Sequence, residues 1–303
     1  MNQQNEESKA KIQLIISLAI FGSIGIFVRL LDMPSSLIAF FRAAIGAAFL
    51  LLLIVFKKEN KDMESYKKAL PYLAISGIMI ATNWMFLFES YRFTTVAIST
   101  LCYYMAPIFL IIASPIILKE KITLKSLICT ITALIGMVSV SGVLSGGMPD
   151  ISELKGIILG LVAAFFYACV ILTNKKVVGI EAKLRTATQL TSAGIIMIPY
   201  ILLTENIGDI SLDLRSIIIL VIVGGFNTGF VYALYFDSLS KLKSRTVAIL
   251  SYIDPVVAII LSALILKERP DIWTILGAVL ILGSALICEL PIGEKDSENR
   301  EIS

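Results

Sequence analysis

One stretch of this chain occurs twice. Residues 96–122 and 244–270 superpose on a shift of 148 positions, which lays Tyr104 on Tyr252, Pro107 on Pro255 and Lys119-Glu120 on Lys267-Glu268. The same shift lays Phe88-Glu89-Ser90 on Phe236-Asp237-Ser238. Two matched blocks at one offset describe a duplicated chain, so whatever one half folds into, the other must fold into as well. In each copy a long apolar run carries a proline in its middle and ends on a basic–acidic pair. Such a run reads as a membrane-spanning helix kinked where the proline removes an internal hydrogen bond.

Ten apolar runs follow one another, at about 12–30, 36–56, 69–90, 95–118, 124–144, 155–174, 185–204, 215–236, 246–266 and 272–290. Each is long enough for a hydrocarbon core of about 30 Å at about 1.5 Å rise per residue. Hydrophobic residues make up 57% of the chain and charged ones 16%, a balance far from that of domains folded in water. The run that begins at Ile12 is long for a signal-peptide core, and no small-residue cleavage site follows it, so it counts as the first span. The Gly/Pro/Asp cluster Ser145–Asp150 is the strongest linker signal. The expected fold is an all-α integral membrane protein with ten transmembrane helices as two inverted five-helix repeats. Its parts are a polar tail at 1–11, a first repeat at 12–144, a linker at 145–154, a second repeat at 155–290 and a tail at 291–303.

The inversion follows from arithmetic and charge. With the N-terminus inside, the inner segments hold 19 lysines and arginines and the outer ones 6, with Arg42 left within a helix. That bias places both termini in the cytoplasm, as expected for a multi-pass protein of the plasma membrane. Five spans per repeat is an odd number, so the second copy enters the bilayer upside down. Lys119-Glu120 then faces the cytoplasm and Lys267-Glu268 the outside. Two inverted halves rocking about an axis in the membrane plane make a route to alternating access.

Several chemistries are excluded or unsupported. The chain has no histidine, which rules out Ser-His dyads and HExxH zinc sites. No GxxxxGK[ST] occurs, and neither charged rings nor a carbonyl filter loop suggests a channel. Cys102, Cys129, Cys169 and Cys288 all lie in apolar runs and read as small buried hydrophobes without metal-ligand or disulfide spacing. The net charge of +3 sits in loops of one sidedness and points to no nucleic acid. The expected partners are the lipid bilayer and a small-molecule substrate, with no cofactor and no metal. The sequence leaves open whether the protein is a monomer or a homodimer.

The residues that can carry a function are the polar ones at membrane depth. Asp254, immediately before Pro255, sits where a charge costs on the order of 2.5–3.5 kcal/mol on insertion scales. It reads as a site for a substrate amine or a proton, or as a structural acid at the proline kink. Arg42 shares a stripe with Ala39 and Gly46, small residues that turn this side inward. It reads as a clamp for a carboxylate, as a cation snorkelling to the outer surface, or as the partner of an acid such as Glu89. Asn83, Trp84, Tyr103, Tyr104, Asn227, Tyr232, Tyr235 and Tyr252 form an aromatic–polar set around the two proline helices. Such a set suits a small organic ligand, although interior packing and interface belts use the same residues. Glu89 and Asp237 read as gate or cap residues near opposite faces. Gly156, Gly160, Ala164 and Ala168 form a packing stripe. An intramembrane enzyme would want a second acid or a metal set beside Asp254, and a non-transporting receptor or scaffold remains the other alternative.

The five-plus-five plan, Pro107 and Pro255, and the ends Leu118-Lys119-Glu120 and Leu266-Lys267-Glu268-Arg269 resemble the EamA type of the drug/metabolite transporter superfamily over residues 12–290. That resemblance implies a carrier of amino acids, other metabolites or toxic compounds, often an exporter, with a cavity between its halves. Residues 12–30 lack the first-helix glutamate of the four-helix multidrug relatives. Lys267 and Arg269 lie at a membrane edge rather than deep in a late helix, as the phosphate-sugar exchangers have their basic residues.

Overall fold

The computed structural model describes residues 2–57, 63–117, 123–140, 144, 150–174, 176, 177, 179–206, 213–239, 241, 242 and 250–289, and every regular element among them is helical. The first half holds α1 (Asn2–Gly22), α2 (Ile24–Arg29), α3 (Ser35–Lys57), α4 (Met63–Phe93), α5 (Val96–Tyr103), α6 (Ala106–Ile117) and α7 (Leu124–Val140). The second half holds α8 (Ile151–Asn174), α9 (Ala182–Thr204), α10 (Leu214–Val221), a π-helical segment (Ile222–Phe230), α11 (Val231–Leu239), α12 (Ile253–Ile265) and α13 (Ile272–Glu289).

Among the described residues, seven helical stretches are long and apolar enough to cross a membrane: Glu6–Arg29, Ser35–Phe56, Met63–Phe93, Val96–Ala113, Ile151–Asn174, Ala182–Thr204 and Leu214–Ser238. Leu127–Val140, Ile253–Ile265 and Ile272–Ile287 are shorter apolar helices. Large apolar side chains lie open on the outer surface, among them Phe56, Leu203, Leu264 and Val279. A surface of that kind is solvated by lipid rather than by water.

Two boundaries differ from expectation. The polar tail at 1–11 is not separate from the first span, because α1 is already helical from Asn2 and Ala10 is buried. Glu, Gln, Lys and Ala are good helix formers, and a helix nucleated by the apolar run extends through them at little cost. Lys11 and Glu7, one turn apart at 2.8 Å, add to that extension. The linker at 145–154 ends sooner, since Asp150 accepts a 2.7 Å hydrogen bond from the Glu153 amide and caps α8 from Ile151. The helix expected at 124–144 is described as far as Val140, and residues 141–143 and 145–149 lie outside the described residues.

The third difference concerns the prolines. Pro107 and Pro255 stand just beyond interruptions of their helices. Each stands in the first turn of a new helix, where its missing N–H is no loss, and the break lies upstream at Tyr104-Met105 and at Tyr252. The two breaks share one geometry: φ −73°, ψ 5° at Tyr104 and φ −74°, ψ −5° at Tyr252. Residues 243–249, the expected start of the ninth helix, lie outside the described residues.

The helices pack in a definite scheme. α4 lies on α8 and α9, and α3 lies on α9 and the π-helical segment. α1 contacts α11 and α12, α5 contacts α8 and α12, and α7 pairs with α13. Within lipid these contacts rest on close packing rather than on apolar burial, so small residues matter. A Cβ on Gly22 of α1 would stand 2.5 Å from the Asp254 carbonyl oxygen, so only glycine lets α1 approach α12 there.

Candidate functional site

The centre of the bundle is where α3, α4, the break after α5, the π-helical segment, α11 and α12 converge. Arg42 enters from α3 and is 6% exposed. Its Nε donates a 2.8 Å hydrogen bond to Thr228 Oγ1. The guanidinium lies 3.9 Å from the centre of the Trp84 ring and 5.7 Å from that of Phe88, a cation–π arrangement strengthened by burial.

The π-helical segment explains how Thr228 reaches this point. Its hydroxyl donates to the Val223 carbonyl five residues back, at 2.8 Å, which leaves the oxygen lone pairs to Arg42. The widened turn is lined by Gly224 and Gly229, where added Cβ atoms would meet Ile45 at 2.7 Å and Phe49 at 2.6 Å. The glycines therefore let α3 seat against the wide turn. π-Helical turns are rare and concentrate at functional sites.

Asp254 enters from α12, in the other half of the chain. Tyr104 donates a 3.1 Å hydrogen bond to Asp254 Oδ2 and stands 3.4 Å from the Ser251 carbonyl oxygen. Ser251 lies four residues before Pro255, so its carbonyl is the one the proline leaves without a helical donor. The Tyr104 hydroxyl, with its one proton, lies within reach of both that carbonyl and Asp254.

Aromatic rings surround the two charges. Tyr104 and Tyr252 lie 6.4 Å apart, Tyr103 and Tyr104 6.1 Å, and Tyr103 and Tyr167 5.2 Å. Phe21 stands edge-on to Tyr232 at 5.1 Å and to Tyr235 at 5.6 Å. Tyr232, Tyr103, Tyr91 and Asp254 are the electrostatic neighbours of Arg42. Arg42 forms no ion pair with Asp254 or Glu89 among the described residues. Glu89 instead accepts from Ser35 Oγ at 2.7 Å.

Of the expected residues, Arg42, Trp84, Tyr103, Tyr104, Tyr232, Tyr235, Tyr252 and Asp254 thus fall into one neighbourhood. Asn227 lies on the π-helical segment, 1% exposed, and its Nδ2 has no partner among the described residues. Asn83 is committed elsewhere, donating at 2.6 Å to the Ala163 carbonyl of α8. Asp237 pairs with Lys241 on an exposed turn at 2.8 Å. Phe88, Tyr91, Phe21 and Tyr167 join the site without having been singled out. Trp84, Phe88 and Tyr91 repeat at four and three residues along α4, a signal that was available; Phe21 is a lone ring in α1 and Tyr167 follows Phe165-Phe166 in α8, where it stands out from neither.

A second cluster joins the start of α5 to the end of α12. The Glu268 carboxylate accepts from the amides of Val96, at 3.0 and 3.1 Å, and Ala97, at 3.5 Å, at the N-terminus of α5. Arg29 lies 3.7 Å from Glu268 and donates to the Tyr91 carbonyl. Lys267 adopts φ 58°, turning the chain after α12 so that the Glu268 amide bonds the Ser262 carbonyl at 3.2 Å. A left-handed lysine costs on the order of 1 kcal/mol or more, and here it aims Glu268 at α5.

Comparison with known proteins agrees with this architecture. The family model described as "EamA-like transporter family" matches twice, over residues 8–142 and 154–289. The "Uncharacterized transporter YxxF" of Bacillus subtilis (strain 168) is 32% identical over 285 residues, covering 93% of this chain and 90% of the relative. An "Uncharacterized transporter" of Archaeoglobus fulgidus is 27% identical over 249 residues, covering 81% of this chain and 85% of the relative. A solved structure titled "Crystal structure of protein" aligns over 93% of this chain and 98% of its own with a TM-score of 0.63 at 15% identity, a likeness of fold. The chain belongs to the EamA-like transporter family, and it is a multi-pass membrane protein.

Proposed function

We propose that this member of the EamA-like transporter family is a secondary transporter, working as an exporter, for a small zwitterionic metabolite such as an amino acid. Ten spans in two inverted five-helix repeats alternate in exposing a central site. The observation that carries the reading is the pair Arg42 and Asp254: opposite charges at membrane depth, one from each half, kept apart and walled by aromatic rings. A carboxylate suits the Arg42 fork and an ammonium suits Asp254, with the tyrosines around the side chain.

The helix packing supports the inverted-repeat part of the reading. Moving every helix by 148 positions turns the contact of α4 with α8 into that of α11 with α1, and the contact of α4 with α9 into that of the π-helical segment with α3. The pairs α3 with α9 and α7 with α13 map onto themselves. The match of Tyr104 with Tyr252 in backbone angles supports the same symmetry. The bias of basic residues supports cytoplasmic termini in the plasma membrane.

The test is flux. Sealed vesicles containing only the purified protein, loaded with each of the twenty amino acids in turn, should release at least one faster than empty vesicles do. Release of none would remove the amino-acid reading, and would favour a receptor, a scaffold or an intramembrane enzyme.

A further inference from the structure

The outer end of the bundle contains a cavity of about 300 Å³, lined by residues that include Arg29, Asp32, Ser35, Phe88, Tyr91 and Arg92. We propose that this cavity is a second, outer binding site for the same zwitterionic solute, with the carboxylate on Arg92 and the ammonium on Asp32. The inference rests on the zwitterion reading of the central site and extends it along the path.

Three observations carry it. First, the two charges are available. Arg92 makes a 3.4 Å hydrogen bond to the Met33 carbonyl, and neither Arg92 nor Asp32 has an ion pair among the described residues. Arg29 is already held by Glu268 and the Tyr91 carbonyl, so it frames the cavity without competing for the solute. Second, the two charges come from different elements: Asp32 lies on the α2–α3 connection and Arg92 at the end of α4, beside Met33. Third, the cavity abuts the central site. Phe88 lines the cavity, and the same ring stands 5.7 Å from the Arg42 guanidinium carbon.

One aromatic ring therefore separates the two sites. Trp84, Phe88 and Tyr91 stack in sequence, at 6.4 Å with 20° between planes and at 6.3 Å with 25°. That ladder runs from Arg42 to the cavity wall. A rotation of Phe88 would join the two compartments, so a solute leaving Arg42 would meet Arg92 next. The volume is at the small end of the range for ligand pockets, about 300–1,000 Å³, which fits a single amino acid.

The experiment counts bound solute by equilibrium dialysis of the purified protein with radiolabelled L-leucine. The wild-type chain should hold two leucines. Arg92→Gln and Asp32→Asn should each weaken the outer site by about tenfold or more, the scale of one hydrogen bond to a charged group, and leave one leucine bound. Asp254→Asn should remove the other. 4-Methylpentanoate and 3-methylbutylamine, each lacking one of the two charges, should compete poorly at both. One leucine per chain, unchanged by Arg92→Gln and Asp32→Asn but lost in Asp254→Asn, would overturn the outer site and leave the central one standing. If neither leucine nor any other of the twenty amino acids, dialysed in the same way, bound to the wild type, both sites would be overturned.

Discussion

Tyr104 and Tyr252, 148 positions apart, occupy the same kind of helix break with nearly identical backbone angles, and their rings meet at 6.4 Å. Each break is followed by a proline in the next helical turn. The two breaks thus face each other across the boundary between the halves, beside Asp254. In an alternating-access scheme this is where the halves change their relation, and it is where the backbone is already interrupted.

The prolines hold those breaks open. Pro107→Ala and Pro255→Ala would each restore an N–H that can reclaim the carbonyl four residues back, Tyr103 or Ser251. The expected result is a protein that inserts and melts normally but transports about tenfold more slowly, as if about 1.4 kcal/mol were added to the moving step. Vesicle flux alongside a melting curve measures both. Unchanged flux in both variants would make the prolines incidental.

Glu268 ties the end of α12 to the start of α5. Glu268→Gln removes the charge from the hydrogen bonds to Val96 and Ala97 and takes the counter-ion from Arg29. Loss of a charge-assisted contact of about 1.5–3 kcal/mol should raise the outward-open population by about tenfold or more. Ile38 lines the outer cavity and is 2% exposed. In a background with the four native cysteines replaced, Ile38→Cys should be labelled from outside correspondingly faster once Glu268→Gln is added. An equal rate with and without that change would show that Glu268 does not hold the closure.

Orientation has its own check. In the same cysteine-replaced background, Lys67→Cys should be protected from an impermeant thiol reagent in intact cells, and Asn206→Cys should react. Labelling of position 67 from outside would reverse the whole topology and, with it, which end the Glu268 contact closes.

The sequence carried the architecture further than the site. Spans show in it because lipid demands long apolar runs with satisfied backbones, and a repeat shows because copied residues stay at one offset. Arg42 and Asp254 stood out because a charge at depth is costly. The π-helical turn did not: nothing but the glycines at 224, 225 and 229 marks it, and glycines are common in membrane helices. The Glu268 contact was equally hidden, since its partners are the backbone amides of Val96 and Ala97, which have no side-chain signature. The position of the helix breaks, one turn before each proline, reflects the clash of the proline ring with the preceding turn rather than any residue at the break itself. Asn83 shows the converse, a polar residue at depth whose donor is spent on a neighbouring helix.

The central claim is that Arg42 and Asp254 together bind the transported zwitterion. The direct measurement is ligand-induced thermal stabilisation of wild type, Asp254→Asn, Arg42→Gln and the double variant, using the amino acid that the vesicle flux identifies. A ligand at about 100 times its Kd stabilises by about 2.7 kcal/mol, so its loss is easily read. The account predicts that each single variant folds, keeps its basal melting temperature within a few degrees and loses the shift. Retention of the shift in both single variants, or unfolding of each single variant with recovery in the double, would contradict it and make the two charges structural.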